Sequence, residues 1–258
     1  MNTSAIVFPS LLDEGSTDIP FAQEGSPPAP IQGEELVVGA DGRLRPSWVG
    51  HDPLLEDYYD NEWGQVLTDQ QDLFELQSLL IFQAGLRWRS ILLRRSRLRA
   101  AMQGFSVGYL SLLHAGDVDR FLEDPRMIRN RRKIEAVINN AKAVRELGEY
   151  PGGFAGLIWD HQPDWTPRPQ STSDLPASTP ESEALAKALK ERGFKFIGPK
   201  STFALMQAAG VVDGNPLGAS NRGKSGLWAP DGKRKLRPPI PRTTSGSRVG
   251  NASESRVA

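Results

Sequence analysis

The chain has 258 residues, with 31 Lys and Arg against 31 Asp and Glu, and no cysteine. The missing thiols exclude disulfides and thiolate metal sites, and no run approaches the ~20 consecutive apolar residues of a membrane span. The zero net charge is a cancellation: residues 1–43 carry seven acids against Arg43 alone, residues 218–258 carry nine bases against Asp231 and Glu254, and the middle is nearly neutral, so a polyanionic partner stays open.

Both ends are rich in Pro, Gly and Ser and show no apolar period, so residues 1–43 and 218–258 read as disordered tails around one folded unit at 44–217. The first residues lack the basic segment that opens a secretory signal, so a cytoplasmic protein is expected.

The folded unit opens on a loop punctuated by Pro46, Gly50 and Pro53, with a short helix expected over Leu54–Tyr59. YYDNEWG follows, too mixed for a plain core segment: either a packed aromatic corner or a base-stacking wall. Thr68 with Gln71 three residues on forms a helix-start signature. Leu73, Leu76 and Leu80 then share one face, and Leu79–Phe82 is apolar on every side, which marks the central helix of the fold. That helix breaks at Ala84-Gly85. A helix that stops at Gly and restarts beside positive charge can push a small wedge, here Leu86, out of a basic surface and into a base stack.

Trp88–Met102 reads as the next helix, with Ile91, Leu92, Leu98 and Met102 inward. Its six arginines, from Arg87 to Arg99, have no acid between Glu75 and Asp117 to pair with, which suits a solvated or phosphate-contacting face. Two short helical segments lead to a helix at residues 124–147, whose first turn is crowded by Arg129, Arg131, Arg132 and Lys133. Cations at the positive end of a helix dipole call for an external anion, and a backbone phosphate would supply it. A Pro-rich loop at 160–178, a helix capped by Thr179 with Pro180 in its first turn, and a last buried helix within GFKFIGPKSTFALMQAAGVV complete the unit. No segment has a convincing period of two, so the fold class is all-α. His51, His114 and His161 are isolated and read as surface or loop histidines. Asp60 and Glu62 read as turn-capping acids and are the nearest anions to the aromatic stretch.

YYDNEWG, FQAGLRW, IRNRRKIEAVINNAKA, ALAKALKERGFKFIGP and FALMQAAGVV, in this order and spacing, resemble the DNA-3-methyladenine glycosylase I family of the helix-hairpin-helix superfamily. The resemblance runs from about Trp48 to Gly218. It implies a two-lobed all-helical domain that flips an alkylated base out of double-stranded DNA and cleaves its N-glycosidic bond in base-excision repair. It also implies a monomer, without cofactor or membrane association, working in the cytoplasm at the nucleoid. Carried onto this chain, it places Tyr58 and Trp88 in the catalytic pocket with Trp63, Leu80 and Phe82 lining it. Ala84, Gly85 and Leu86 fill the gap in the duplex, and Arg129, Arg131, Arg132 and Lys133 grip the backbone.

Three positions depart from the family pattern. Leu80 stands where the family has the carboxylate that recognises the alkylated base, with Ile81 where a small residue is usual. The family's structural zinc ligands are replaced by Pro46, Tyr59, Asn215 and Ala219, so no metal site is expected and packing must join the ends, with Tyr59 as filler. The hairpin glycine is Arg126, so its left-handed turn is expected to be reshaped. Three readings follow: a glycosylase with altered base preference, a weakly active or inactive lesion-binding protein of the same fold, and a helical scaffold with no nucleic-acid role.

Overall fold

A computed structural model describes residues 36–240, in which nine α-helices and one two-stranded hairpin are built. The helices are α1 (Pro53–Asn61), α2 (Gln70–Gln83), α3 (Trp88–Ala101), α4 (Val107–Leu110), α5 (Ala115–Glu123), α6 (Arg131–Glu146), α7 (Gly153–Trp159), α8 (Pro180–Glu191) and α9 (Pro199–Ala208). No described helix is long and apolar enough to cross a membrane.

α2 is the centre, as its all-round apolar sequence demands: every residue from Leu73 to Gln83 is buried. α3, α6, α7 and α9 pack around it. Its start is capped by the Asp69 carboxylate, which accepts from the backbone N–H groups of Gln71 and Asp72; the cap lies one residue beyond Thr68, where the Thr68/Gln71 signature placed it. The end of α9 returns beside the loop that follows α1, where Gly64 and Leu67 donate to the carbonyls of Ala208 and Ala209. Gly210 sits at φ +73°, and a Cβ there would lie 2.8 Å from the carbonyl oxygens of Gly64 and Gln65, so only glycine permits this close approach.

Two expectations about the ends are corrected. Residues 37–45 form an antiparallel hairpin, in which Val37–Val38, within the stretch read as an acidic tail, pair with Leu44–Arg45 at the start of the helical unit. The cause is electrostatic. Arg45 is buried, and its guanidinium is held by Asp41 and by Asp60 of α1 at 2.6 Å each, while Arg43 also reaches Asp60. The hydrogen bond from Arg45 holds the Asp41 carboxyl well below the usual carboxylate range.

Residues 218–240 likewise fold onto the helices. Ser220 and Leu44 exchange hydrogen bonds through the Ser220 backbone and hydroxyl. Arg222 donates to the carbonyls of Pro167, Asp213 and Asn215, and Leu227 and Trp228 are buried. Periodicity could not reveal this segment, because isolated polar anchors rather than a repeated apolar face hold it. The remaining parts of both expected tails lie outside the described residues.

Of the four positions that the resemblance assigns to a zinc site, Pro46, Tyr59, Asn215 and Ala219, two are joined by a hydrogen bond. The Tyr59 hydroxyl, fully buried, donates to Asn215 Oδ1 at 2.8 Å, and Asn215 Nδ2 donates to Asp213 Oδ1 at 2.9 Å. Asn221 Nδ2 donates to the Tyr59 carbonyl. A phenol already bonded to an amide, a proline and an alanine offer no ligand set for the metal. Burial pushes the Tyr59 phenol above its ordinary pKa, so it remains a neutral donor.

Tyr59→Phe leaves Asn215 Oδ1 buried without its donor and is expected to lower unfolding stability by about 1–3 kcal/mol in urea titrations. Excess chelator should leave the wild-type midpoint unchanged; a fall comparable to that of the variant would mean that a metal, and not this network, joins the ends.

Candidate active site

The break after α2 is tied from three sides. Ala84 leaves the helix at φ −49° and ψ 117°, and Gly85 turns the chain at φ +79°, in the left-handed region that disfavours a side chain. The Leu86 N–H donates to the Gln83 carbonyl at 2.6 Å, and Gln83 Nε2 donates back to the Leu86 carbonyl at 3.0 Å. Leu86 itself is 40 % exposed, one of the few large apolar side chains on the described surface. α3 then begins at Trp88, with Arg87 at its N-cap.

The third tie is Lys133. Expected on the DNA-facing surface, it is buried instead: its Nζ donates to the Phe82 carbonyl at 3.0 Å and to the Ala84 carbonyl. It thus satisfies carbonyls at the C-terminal end of α2, where a cation also meets the favourable end of the dipole. Burial lowers its pKa to about 8, which leaves it mostly charged at neutral pH. The sequence showed a run of cations but not which one turned inward.

Tyr58, Trp63 and Trp88 are brought together as the aromatic pattern required. The ring centroids of Tyr58 and Trp88 lie 5.4 Å apart and those of Tyr58 and Trp63 6.2 Å apart, with Trp48 stacked edge-on to Trp63 at 5.6 Å. Burial pushes the Tyr58 phenol far above its usual range and the Glu62 carboxylate adds to the shift, so Tyr58 is a neutral hydroxyl and not an ionised base. A cleft of about 220 Å³ opens beside this cluster, walled by Tyr58, Trp88, Glu62, Glu75, Leu79 and Arg95. Trp63, Leu80 and Phe82, expected to line the pocket, do not reach this cleft: all three are buried, Trp63 against Tyr58 and Leu80 and Phe82 within the body of α2. An apolar side chain at position 80 has no reason to stay at a polar wall.

The charged residues divide in a way that sequence distance concealed. Three of the six arginines from Arg87 to Arg99 find acids on α1, α2 and the loops beside them: Arg89 with Asp52, Arg95 with Glu62 and Glu75, and Arg99 with Glu75. Glu62 therefore reaches the cleft, while Asp60 is committed to Arg43 and Arg45. At the start of α6, Arg129, Arg131 and Arg132 are exposed, but Arg131 pairs with Asp119 and Glu135, so internal acids already offset part of the charge there. Asn130 caps the helix by accepting from the Lys133 N–H. At Arg126 the backbone N–H and guanidinium both bond Asp124, and the residue is not among the described positive-φ residues. Glu75 is the site residue that pattern reading missed, because one acid in an apolar helix looks like a solvated edge until its arginines come from another helix.

Against known proteins, residues 48–219 match the family model for methyladenine glycosylase. The chain is 40 % identical over 177 residues to DNA-3-methyladenine glycosylase 1 of Escherichia coli K12, covering 67 % of this chain and 94 % of that protein. A crystal structure of a 3-methyladenine DNA glycosylase I superposes with a TM-score of 0.66 at 39 % identity, over 69 % of this chain and 99 % of that one. A tyrosine-to-phenylalanine variant of 3-methyladenine DNA glycosylase I, crystallised with 3-methyladenine, gives 0.63 at 29 % identity, over 66 % and 93 % of the two chains.

Lys133→Met removes the donors that hold the Phe82 and Ala84 carbonyls. Hydrogen exchange at the amides of residues 84–88 is expected to quicken at least about tenfold, matching roughly 1.4 kcal/mol or more of lost local protection, while amides of the Val37–Arg45 hairpin stay unchanged. Uniform loss of protection would mean that Lys133 supports the whole fold and not this turn.

Proposed function

This chain belongs to the methyladenine glycosylase family, and from that premise we propose that it excises N3-alkylated adenine, or a bulkier alkylpurine, from duplex DNA by extruding the nucleotide against Tyr58 and Trp88. The observation that carries the reading is the juxtaposition of an exposed Leu86 with an aromatic cluster whose nearest ring, Trp88, is two residues away in sequence. In this reading Leu86, on the Ala84-Gly85 turn, occupies the space left in the stack, and Arg129, Arg131 and Arg132 approach the backbone. The neighbouring aromatic rings then receive the base.

The chemistry asks little of the protein. An N3-alkylated adenine is a cation in the nucleotide and leaves as a neutral base, so protonation of the leaving group is not needed and stabilising the separating charges suffices. The electron-rich face of Trp88 or Tyr58 favours a cationic ring by about 0.5–2 kcal/mol. A neutral Tyr58 hydroxyl adds a hydrogen-bonding group without the cost of a buried charge. Leu80 supplies neither, and the charge-assisted contact absent at that position amounts to roughly 1.5–3 kcal/mol. That loss tilts preference toward larger and less polar adducts. Every residue the reading needs comes from one chain, which suits a monomer acting at the nucleoid in the cytoplasm.

A second reading, a lesion-binding protein with little turnover, is favoured by Leu80 alone, buried where the family carries a carboxylate. Chromatographic analysis of bases released from methylated duplex separates the two. The wild type should release 3-methyladenine, and Trp88→Leu should lower the single-turnover rate by about two- to thirtyfold, the range of one cation–π contact. Tight binding to alkylated duplex with no base of any size released would leave only the lesion-binding reading.

A further inference from the structure

The cleft beside Tyr58 and Trp88 is lined by three carboxylates, Glu62, Asp72 and Glu75, against one guanidinium, Arg95. Its volume of about 220 Å³ lies below the ~300–1,000 Å³ range of sites for drug-sized ligands, which fits a single fused heterocycle. Glu75 is the buried member of the set: it is 5 % exposed and projects from the middle of α2. Its Oε1 accepts from Arg95 Nε at 2.9 Å and from Arg99 at 3.2 Å, whereas Oε2 has only the Arg99 ion pair at 3.1 Å. A carboxylate has about four acceptor sites, so the two arginines fix its orientation without exhausting it.

We propose that Glu75 is a specificity-determining residue of this site: the carboxylate that selects a cationic alkylpurine lying against Tyr58 and Trp88, in the absence of any acid at position 80. The inference rests on the glycosylase reading above and names the residue behind its preference for charged bases. Arg95 and Arg99 hold the carboxylate in one orientation, and Glu62, at the more exposed end of Arg95, keeps the cleft net negative while that guanidinium stays in place. A neutral purine gains at most an ordinary hydrogen bond from such a wall, while a cation gains a stronger charge-assisted contact.

The test is separated from catalysis by using free bases. Tryptophan fluorescence titrations compare 3,9-dimethyladeninium, a fixed cation substituted at N9 as in a nucleotide, with neutral 9-methyladenine. The wild type should favour the cation by about tenfold or more, and Glu75→Gln should bind the two nearly equally. Glu75→Gln should weaken binding of the cation and leave that of 9-methyladenine nearly unchanged, a selective loss that a merely structural role for Glu75 does not produce. Glu75→Asp, which keeps the charge one methylene further back, should retain part of the preference and decides the matter if Glu75→Gln does not fold. Equal binding of cation and neutral base by the wild type, or a preference kept in Glu75→Gln, would overturn the assignment. Base release from methylated duplex, measured alongside, reports on the glycosylase reading by itself.

Discussion

A single buried ammonium sets the geometry on which the rest of the site depends. Lys133 lies in the first turn of α6, yet its donors reach the carbonyls of Phe82 and Ala84 at the end of α2. The segment that carries the exposed arginines is thereby fixed to the turn that carries Leu86. Four residues after Ala84, Trp88 starts α3 and packs against Tyr58 of α1. Leu86, the exposed arginines and the aromatic cluster therefore share one rigid reference, the C-terminal end of α2. A loosely held wedge would lose its advantage, because positioning errors of about 1 Å cost orders of magnitude in rate.

Charge placement serves that arrangement more than it serves net attraction. Arg95 and Arg99 orient Glu75, Arg89 is tied to Asp52 at the start of α1, and Arg131 is partly offset by Asp119 and Glu135. Exposed pairs of this kind add little to stability, but the half-buried arginine at the cleft fixes the direction of a carboxylate that would otherwise sample several rotamers. The same logic holds at the far end of α1. There Tyr59, Asn215, Asp213 and Asn221 join the hairpin side of the fold to the C-terminal segment by hydrogen bonds where relatives are expected to use a metal.

The parts of this architecture written in local patterns were legible in the sequence. The unbroken apolar run of α2, the Gly85 break, the Thr179-Pro180 helix start and the aromatic stretch ending at Trp63 each imply their structure within a dozen residues. What stayed hidden depends on partners far apart in the chain. Lys133 looked like one more surface cation, since its burial is decided by carbonyls 49 and 51 positions away. Glu75 looked marginal until α3 supplied its arginines, and residues 218–240 looked unstructured because Asn221, Arg222 and Trp228 anchor them one at a time. Leu80 and Phe82 were legible as core residues, and neither is among the residues that line the cleft beside Tyr58 and Trp88.

The account stands on the wedge and the aromatic cluster acting on one and the same extruded base. The most direct measurement is a double-mutant cycle between Leu86→Ala and Trp88→Phe, read as affinity for a duplex containing a single alkylated purine, with undamaged duplex as reference. The two changes are expected to couple by about 1 kcal/mol or more, since each loses value once the base is no longer extruded. Strict additivity, with each variant weakening damaged and undamaged duplex alike, would contradict the account.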